Sequence, residues 1–329
     1  MQMKSVVGTG DKKAMVLVIM VIVVAFFHFA VPTVPHSSHV LHIILRKLYF
    51  LPPVMAGAWF GVRGAFAVTL CVSIFFTIHV FLDWPGNYME QANQLGELAS
   101  FWVVGLIPGY LFDRQKKLLL NLAHANEETI LALVSALDLR ERNTRLHSQR
   151  VREYTLVLAE RFGVPEQERK ALGIGALLHD IGKIAVPDRI LLKPSRLSKE
   201  DWKEMYRHPA EGFKLLNQIG FLQKPAEIVY AHHERFDGSG YPRGLKGKDI
   251  PLGARLFMVA DVFDALTSER PYRVPSGYWE AAADIIEKSG EHFDPEVVEV
   301  FQQIDPQEWE KIRKRFADRE IAAGEPPGR

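Results

Sequence analysis

The sequence predicts an all-α protein in two parts, a helical membrane bundle followed by a helical soluble domain. The chain holds 40 Lys and Arg and 39 Asp and Glu, yet only 10 of these charged residues lie in residues 1–112. Apolar runs in this first part reach the length that crosses a bilayer. The remainder alternates amphipathic helical segments with turns and has little of the period-2 alternation that strands need.

The clearest membrane spans are two apolar runs without any Lys, Arg, Asp or Glu. They cover residues 14–31 and 64–82, and about 20 apolar residues suffice to cross the hydrocarbon core. Residues 98–112 form a shorter third candidate. We therefore expect at least these three segments to enter the membrane.

Residues 40–61 form a fourth, less regular candidate. Arg46 and Lys47 interrupt its apolar run, and we expect Pro52 and Pro53 to kink any helix here. An interfacial helix that leads into a short span fits this pattern, which brings the expected number of spans to about four.

The flanking charges predict the orientation of these spans. The loop 83–97 contains Asp and Glu but no Lys or Arg, whereas basic residues flank the other ends. The positive-inside rule then places both termini in the cytoplasm, with the chain as a multi-pass protein of the inner membrane. Arg46 and Lys47 run against the rule, because this topology leaves them near the outer face. The basic residues that support the orientation are Lys4, Lys12, Lys13, Arg63, Arg114, Lys116 and Lys117.

Two histidines, His28 and His79, fall within the predicted spans. Neither has a second potential ligand at helical spacing. We therefore expect them to be tolerated near the membrane interface rather than to hold a haem or relay protons.

The predicted domain organisation has four parts. Residues 1–112 form the membrane input domain, 113–136 a helical linker, 137–310 the soluble domain, and 311–329 a C-terminal helix with a disordered tail. The apolar stripe of the linker favours a homodimer through this helix, while an ordinary first helix of the soluble domain explains its later half equally well.

The soluble domain contains a set of seven imidazole and carboxylate side chains that reads as a metal site. Polar groups of this kind are accepted in a core only when each is partnered, and two adjacent histidines followed by acidic residues in 232–242 are hard to explain as packing. Donors of this type, without thiolates, suit Zn, Mn or Fe. The seven candidates are His147, His179, Asp180, His208, His232, His233 and Asp261.

Seven ligands exceed the need of one ion, so we expect two. Asp180 would bridge them, with one ion on His147, His179 and Asp261 and the other on the three remaining imidazoles, His208, His232 and His233. Two ions about 3.5–4 Å apart can activate a bridging water and clamp the oxygens of a phosphoryl displacement. Lys183 lies three residues after Asp180 and can neutralise a phosphate oxygen. This chemistry predicts phosphoester hydrolysis, with Asp180 and Lys183 as the catalytic residues.

Several motifs in the expected order resemble the HD-GYP family, a branch of the HD metal phosphohydrolases. The resemblance covers residues 137–304 and implies an α-helical HD-type domain with cyclic di-GMP phosphodiesterase activity, producing pGpG and in some members GMP. The motifs are His179-Asp180-Ile181-Gly182-Lys183, Pro187-Asp188, Lys193-Pro194, His208-Pro209, residues 232–242, Arg270-Pro271-Tyr272 and residues 290–295.

The resemblance also assigns roles to individual residues. The family's ligand pattern falls on the seven positions named above, and its phosphate-contacting lysine falls on Lys183. Arg270 and Arg273 fall near positions that touch substrate phosphates or guanines. The position where some members hold a third metal through a Glu is Asn143 here, a neutral and weak donor. The resemblance thus implies two divalent ions, Fe or Mn ahead of Zn or Mg.

The membrane part resembles, more loosely, the four-span input modules of some bacterial sensor histidine kinases, through residues 46–52 and 58–61. It implies a two-component-like sensor that sits in the lipid bilayer and regulates the soluble domain.

The Gly240-Tyr241-Pro242 segment has three interpretations: a simple turn, a loop that closes over a guanine with Tyr241 as a binding residue, or a docking site for a protein partner. Two other functions stay open for the whole chain. One is hydrolysis of another cyclic dinucleotide or nucleotide, and the other is a cyclic di-GMP receptor without turnover. Nucleic acid is excluded as a partner, because a net charge of +1 without a basic stripe offers little to a phosphate backbone.

Overall fold

All regular structure in the described part of the chain is helical, with no strand, which confirms the predicted all-α fold. The chain divides into two compact units, residues 1–125 and 126–329. The predicted domain boundaries at 112, 136 and 310 stay a prediction. The structure is a computed structural model that describes residues 2–31, 39–83, 86–141, 146–268 and 274–322.

The first unit consists of long apolar helices. Three stretches are long and apolar enough to cross a membrane, namely Gly10–Ala30, Val40–Leu82 and Gln91–Arg140. Their outward faces carry large apolar side chains that are exposed in the isolated chain, as expected for helices that face lipid. The helices are α1 (Gln2–Ala30), α2 (His39–Leu48), α3 (Leu51–Asp83) and α4 (Tyr88–Glu141), of which α4 continues beyond residue 125.

The helix is interrupted at Tyr49 and Phe50, directly before Pro52 and Pro53, in line with the break expected there. Because α3 begins at Leu51, both prolines occupy its first turn, where a missing N–H breaks no helical hydrogen bond. A second break, which the sequence analysis did not predict, lies at Gly61, with φ 68° and ψ −161°, a conformation that favours glycine.

Asp113 of α4 occupies the space beside this break. Its carboxylate accepts a hydrogen bond of 2.9 Å from the Val62 backbone N–H and fills the position that a side chain at Gly61 would need. The 43-residue stretch Val40–Leu82 thus comprises helical pieces before and after Gly61. The total of about four spans stays a prediction.

The second unit is built from short helices around two apolar cores. Helices α5, α6 and α11 supply the larger core together with the C-terminal helices, and the end of α4 packs with α6, α9 and α10 in the smaller one. The helices are α5 (His147–Arg161), α6 (Glu166–Leu178), α7 (Asp188–Leu191), α8 (Lys199–Met205), α9 (His208–Asn217), α10 (Gln223–Ala231), α11 (Leu252–Thr267), α12 (Tyr278–Glu287), α13 (Pro295–Gln302) and α14 (Pro306–Ala322).

Residues 113–136 are helical as part of α4, and α14 covers the predicted C-terminal helix. The predicted disordered tail, residues 324–329, lies outside the described residues.

Candidate metal centre

The seven predicted ligands lie at helix ends and in one helix middle, and they converge on one region of the second unit. The end of a helix can place a ligand side chain in the site while the rest of the helix keeps its hydrogen bonds. His147 and His208 begin α5 and α9, His179 and His232 directly follow α6 and α10 with Asp180 and His233 next to them, and Asp261 lies within α11.

Two groups of three donors form within this region. One ligand atom each of His147, His179 and Asp261 lies within 4.8 Å of the other two, and Nε2 of His147 is 3.3 Å from Oδ1 of Asp261. The same limit holds for His208, His232 and His233. These are the two groups into which the sequence analysis divides the ligands.

Asp180 lies between the two groups. Its Oδ2 atom is 3.1 Å from Nε2 of His179, and its Oδ1 atom is 3.5 Å from Nε2 of His208 and 4.0 Å from Nε2 of His232. The Lys183 ammonium donates to Oδ2 of Asp180 at 2.7 Å. One carboxylate therefore faces both sets of imidazoles, which is the geometry that a bridging ligand requires. The metal-ligand roles themselves stay predictions.

Backbone carbonyls orient three of the imidazoles. In each, Nδ1 lies within hydrogen-bond distance of the carbonyl three residues earlier: 2.9 Å for His179, 2.7 Å for His208 and 2.6 Å for His232. A carbonyl only accepts, so each Nδ1 carries a proton and each Nε2 is the nitrogen that faces the centre. Metal-binding histidines are commonly oriented in this way. The donor set therefore fits divalent metal ions.

A glycine allows the two groups to approach each other. Gly182 follows Asp180 by two residues, and a Cβ built there would lie 1.9 Å from the carbonyl oxygen of His208. Any side chain at this position would push α9 away. The glycine of the His179-to-Lys183 motif thus has a packing reason within the site.

His147 is held by a buried ion pair that the sequence analysis did not foresee. Its Nδ1 lies 2.7 Å from Oδ2 of Asp264, and Arg150 donates to both oxygens of the same carboxylate at 2.8 and 3.1 Å. The sequence signal that could have revealed this contact is the position of Asp264, about one helical turn after Asp261.

Arg140, near the end of α4, also escaped the sequence analysis. Its guanidinium donates to the carbonyl oxygens of Lys183 and Ile184 at 3.1 Å each, to that of Val186 at 2.6 Å, and to the carboxylate of Asp188 at 2.7 Å. One arginine therefore fixes the segment that follows Asp180. No local sequence pattern reveals a contact of this kind, because it joins residues more than 40 positions apart.

The pKa shifts divide the imidazoles into two classes. Burial lowers the pKa of His233 to about 3, and nearby His208 adds to the shift; burial also lowers the pKa of His208 and of His232. These three are neutral at physiological pH, the form that binds metal. For His147, burial alone would lower the pKa, but hydrogen bonds to Asp261 and Asp264 outweigh it and raise the pKa to about 10. A metal ion at this histidine therefore displaces a proton.

Two carboxylates near Lys183 shift in opposite directions. Burial opposes ionisation of Asp180, but the charges of His179 and Lys183 outweigh it and hold the pKa of Asp180 well below its usual value. Asp138 on α4 is half-buried, and burial raises its pKa. It interacts electrostatically with His147 and Asp180, so it is an acidic neighbour of the centre that the sequence analysis missed.

The segment 232–242 folds as a loop against the centre. Tyr241 stacks on His233 with 4.6 Å between ring centroids and also contacts Tyr206 at 4.3 Å. The buried carboxylate of Glu234 accepts the backbone N–H groups of Arg243 and Leu245 at 2.7 and 2.9 Å. Glu234 therefore orders the loop.

Three residues named in the sequence analysis lie outside the described part of the chain. They are Asn143, at the expected third-metal position, and Arg270 and Arg273, expected to contact substrate. Their roles stay predictions.

The chain belongs to the HD domain family, which matches residues 132–297, about half of its length. This range contains all seven predicted ligands. The chain is also similar to three curated proteins over this region, and two of them are named for cyclic di-GMP hydrolysis, which supports the resemblance to the HD-GYP family.

The first relative is a "Probable cyclic di-GMP phosphodiesterase" of Vibrio cholerae, 39% identical over 61% of this chain and 49% of the relative. The second is the "Cyclic di-GMP phosphodiesterase response regulator RpfG" of Xanthomonas campestris pv. campestris, 42% identical over 56% of this chain and 50% of the relative. The third is the "3'3'-cGAMP-specific phosphodiesterase 2" of Vibrio cholerae, 38% identical over 56% of this chain and 35% of the relative. The chain thus spans half or less of the length of these relatives.

Proposed function

We propose that this protein is a metal-dependent phosphodiesterase that opens cyclic di-GMP to pGpG. The observation that carries the proposal is the placement of Asp180 between two groups of three donors, with the Nε2 atoms of His179 and His208 3.1 and 3.5 Å from its two oxygens. This arrangement suits a pair of divalent ions, Fe or Mn ahead of Zn or Mg. Such a pair would supply an activated water and a clamp for the phosphate oxygens.

The chain's own residues then have distinct tasks. His208, His232 and His233 stay neutral, and Nδ1 hydrogen bonds fix the direction of His179, His208 and His232. Asp180 remains ionised and faces both groups. Lys183, which donates to Asp180 at 2.7 Å, brings a positive charge that can move to a phosphate oxygen of the substrate. Tyr241, half-buried and stacked on His233, offers an aromatic face at the edge of the centre for a guanine base.

A second candidate substrate is a mixed cyclic dinucleotide of guanosine and adenosine. A relative named for 3'3'-cGAMP shares 38% identity with this chain, and the metal ligands determine the reaction rather than the base. The residues expected to contact the bases, Arg270 and Arg273, lie outside the described part of the chain. Cyclic di-GMP is preferred because two of the three relatives above are named for it.

We further propose that the first unit anchors the enzyme in the inner membrane with the HD domain in the cytoplasm, as an input module that regulates it. The three apolar helical stretches support membrane association, and the basic flanking residues support the orientation. A homodimer through α4 is supported by a run of exposed leucines, Leu118, Leu119, Leu120 and Leu122. A protein partner at the Gly240-Tyr241-Pro242 loop is a further proposal.

The test is hydrolysis by the full chain in lipid nanodiscs after loading with Mn(II) or Fe(II). Cyclic di-GMP, 3'3'-cGAMP and a linear dinucleotide are supplied separately at equal concentration, and products are separated by chromatography. We expect kcat/KM to be highest for cyclic di-GMP, with pGpG as the first product. Faster turnover of 3'3'-cGAMP would move the assignment to that substrate. Tight binding of cyclic di-GMP without turnover with either metal would mean that the protein is a cyclic di-GMP receptor and not an enzyme.

A further inference from the structure

Three histidines that lie far apart in the sequence meet inside the first unit. His28 comes from α1, His42 from α2 and His79 from α3, and one nitrogen of each lies within 4.8 Å of the other two. Nε2 of His28 is 3.1 Å from Nε2 of His42, and the rings of His28 and His79 stack with centroids 3.8 Å apart. The absence of a second ligand at helical spacing therefore does not isolate them, because each ligand comes from a different helix.

This cluster is enclosed by apolar and aromatic side chains. The three histidines are 0%, 1% and 0% exposed. Phe76 stacks near His28 with centroids 6.0 Å apart, and Phe29 meets His79 edge-on at 5.0 Å. Burying imidazoles in such surroundings is costly unless their nitrogens find partners. Three in contact point to a shared ligand.

A further polar group at the cluster supports a bound ion. The buried hydroxyl of Tyr49 has no hydrogen-bond partner among the described residues, and the Tyr49 ring lies 5.3 Å from that of His28. A single hydrogen-bonded pair of histidines would account neither for this hydroxyl nor for the His79 ring that stacks on His28.

We propose that His28, His42 and His79 form a site for a first-row transition metal such as Zn²⁺. Three imidazole nitrogens without oxygen or sulfur ligands suit Zn, Cu, Ni or Co and disfavour Ca and Mg, which prefer oxygen. A tetrahedral ion with Zn–N bonds of about 2.0–2.1 Å holds its nitrogens about 3.3 Å apart. The His28–His42 pair is already at 3.1 Å, and rotation of the His79 ring brings the third nitrogen in.

The one carboxylate in the ion pairs beside the cluster is already engaged. Arg46 follows His42 by one helical turn, and Glu97 lies 3.5 Å from Arg46 and 2.8 Å from Lys47. Glu97 is thus engaged by two cations. It is not a ligand of the proposed site, which consists of three imidazoles and an open fourth position.

The test counts metal in the full chain purified in nanodiscs. Each preparation is stripped by chelation, equilibrated with Zn²⁺, washed, and its zinc measured by mass spectrometry. His42→Gln and His79→Gln are expected to hold one ion fewer per chain than the wild type. His124→Gln, which changes an exposed histidine of α4 outside both clusters, should match the wild type. The ions of the HD domain are common to all preparations and cancel in the comparison.

A rescue variant separates a ligand from a packing residue. His42→Cys supplies a thiolate, which also binds Zn²⁺ and Co²⁺, so it should restore the lost ion and add a sulfur-to-cobalt absorption band on Co²⁺ loading. Equal zinc content in all variants would overturn the proposal, as would a His42→Cys protein that folds and binds no extra ion. Phosphodiesterase activity of the same preparations after reloading with Mn(II) reports folding of the HD domain independently. Absence of that activity in the wild type would count against the proposed function and not against this site.

If the glutamine variants fail to fold, the wild type alone decides. Co²⁺ titration should then show tetrahedral nitrogen-ligand absorption from an ion beyond those of the HD domain. A titration without such a component would overturn the site.

Discussion

Each unit of the protein contains three imidazoles in contact, yet the two clusters differ in what surrounds them. His208, His232 and His233 adjoin the carboxylate of Asp180, which is 18% exposed, and the ammonium of Lys183. The cluster in the first unit is closed by aromatic rings and reaches no solvent. Both clusters offer three imidazole ligands for an ion, but only the one in the second unit adds what hydrolysis would need: a carboxylate placed to bridge, a cation for the phosphate, and access for the substrate.

We expect the largest effect on the centre of the second unit from Asp180→Asn. The amide keeps the size of the side chain but loses the charge that faces both groups of imidazoles. Because loss of an outer-shell partner alone costs about 10–100-fold, we expect the loss of this ligand to reduce kcat by more than about 100-fold. Steady-state hydrolysis of cyclic di-GMP by the Mn-loaded chain measures it. Asp284→Asn, which removes a surface carboxylate paired with Lys288, should keep wild-type activity. Wild-type turnover by Asp180→Asn would refute the bridging role.

Lys183→Met tests whether the positive charge beside Asp180 contributes to hydrolysis. The methionine retains the length of the side chain and removes the charge that lies 2.7 Å from Asp180. Loss of one group that stabilises developing charge typically costs about 100-fold or more in kcat, and we expect a fall of that size with little change in metal content. Lys248→Met, at an exposed pair with Glu296, serves as the control. A change in KM alone would assign Lys183 to ground-state binding instead.

Asp264→Asn tests how His147 is held in place in the metal centre of the second unit. The substitution weakens the hydrogen bond to His147 and leaves Arg150 without its carboxylate. Loss of such a support typically lowers metal affinity by about 10–100-fold. Metal titration of the stripped chain should show one of the two HD-domain ions weakened, while Asp318→Asn on the exposed face of α14 changes neither. Unchanged affinity for both ions would show that His147 needs no such support.

The smallest expected effect concerns Arg140. Its replacement by alanine removes several hydrogen bonds to residues 183–188, and each bond to a charged group contributes about 1.5–3 kcal/mol. Amide hydrogen exchange in this segment should accelerate by about tenfold or more, since 1.4 kcal/mol corresponds to a factor of ten. Arg207→Ala, in a surface pair with Glu204, is the control. Equal protection in both variants would mean that the segment is held by other contacts.

The sequence predicted the helical class because hydrophobic periodicity and apolar run length are local properties. The predicted metal ligands of the second unit were also found from local sequence. His179 and Asp180 are adjacent, as are His232 and His233, so each of these two short segments contains two potential ligands. Arg140 and Asp264 were missed because their contacts join distant helices. The same applies to His42 and His79, where no short segment contains two ligands. The break at Gly61 was missed because the Asp113 carboxylate that lies beside it comes from another helix.

The most direct test of the central claim is a titration of turnover against metal. The full chain carrying His79→Gln, which removes the proposed site in the first unit, is stripped and titrated with Mn(II) in nanodiscs while hydrolysis of cyclic di-GMP is followed. The account predicts that activity is absent without metal and reaches its plateau at two bound ions per chain. Full activity in the stripped chain, or no hydrolysis at any occupancy although cyclic di-GMP binds, would contradict it.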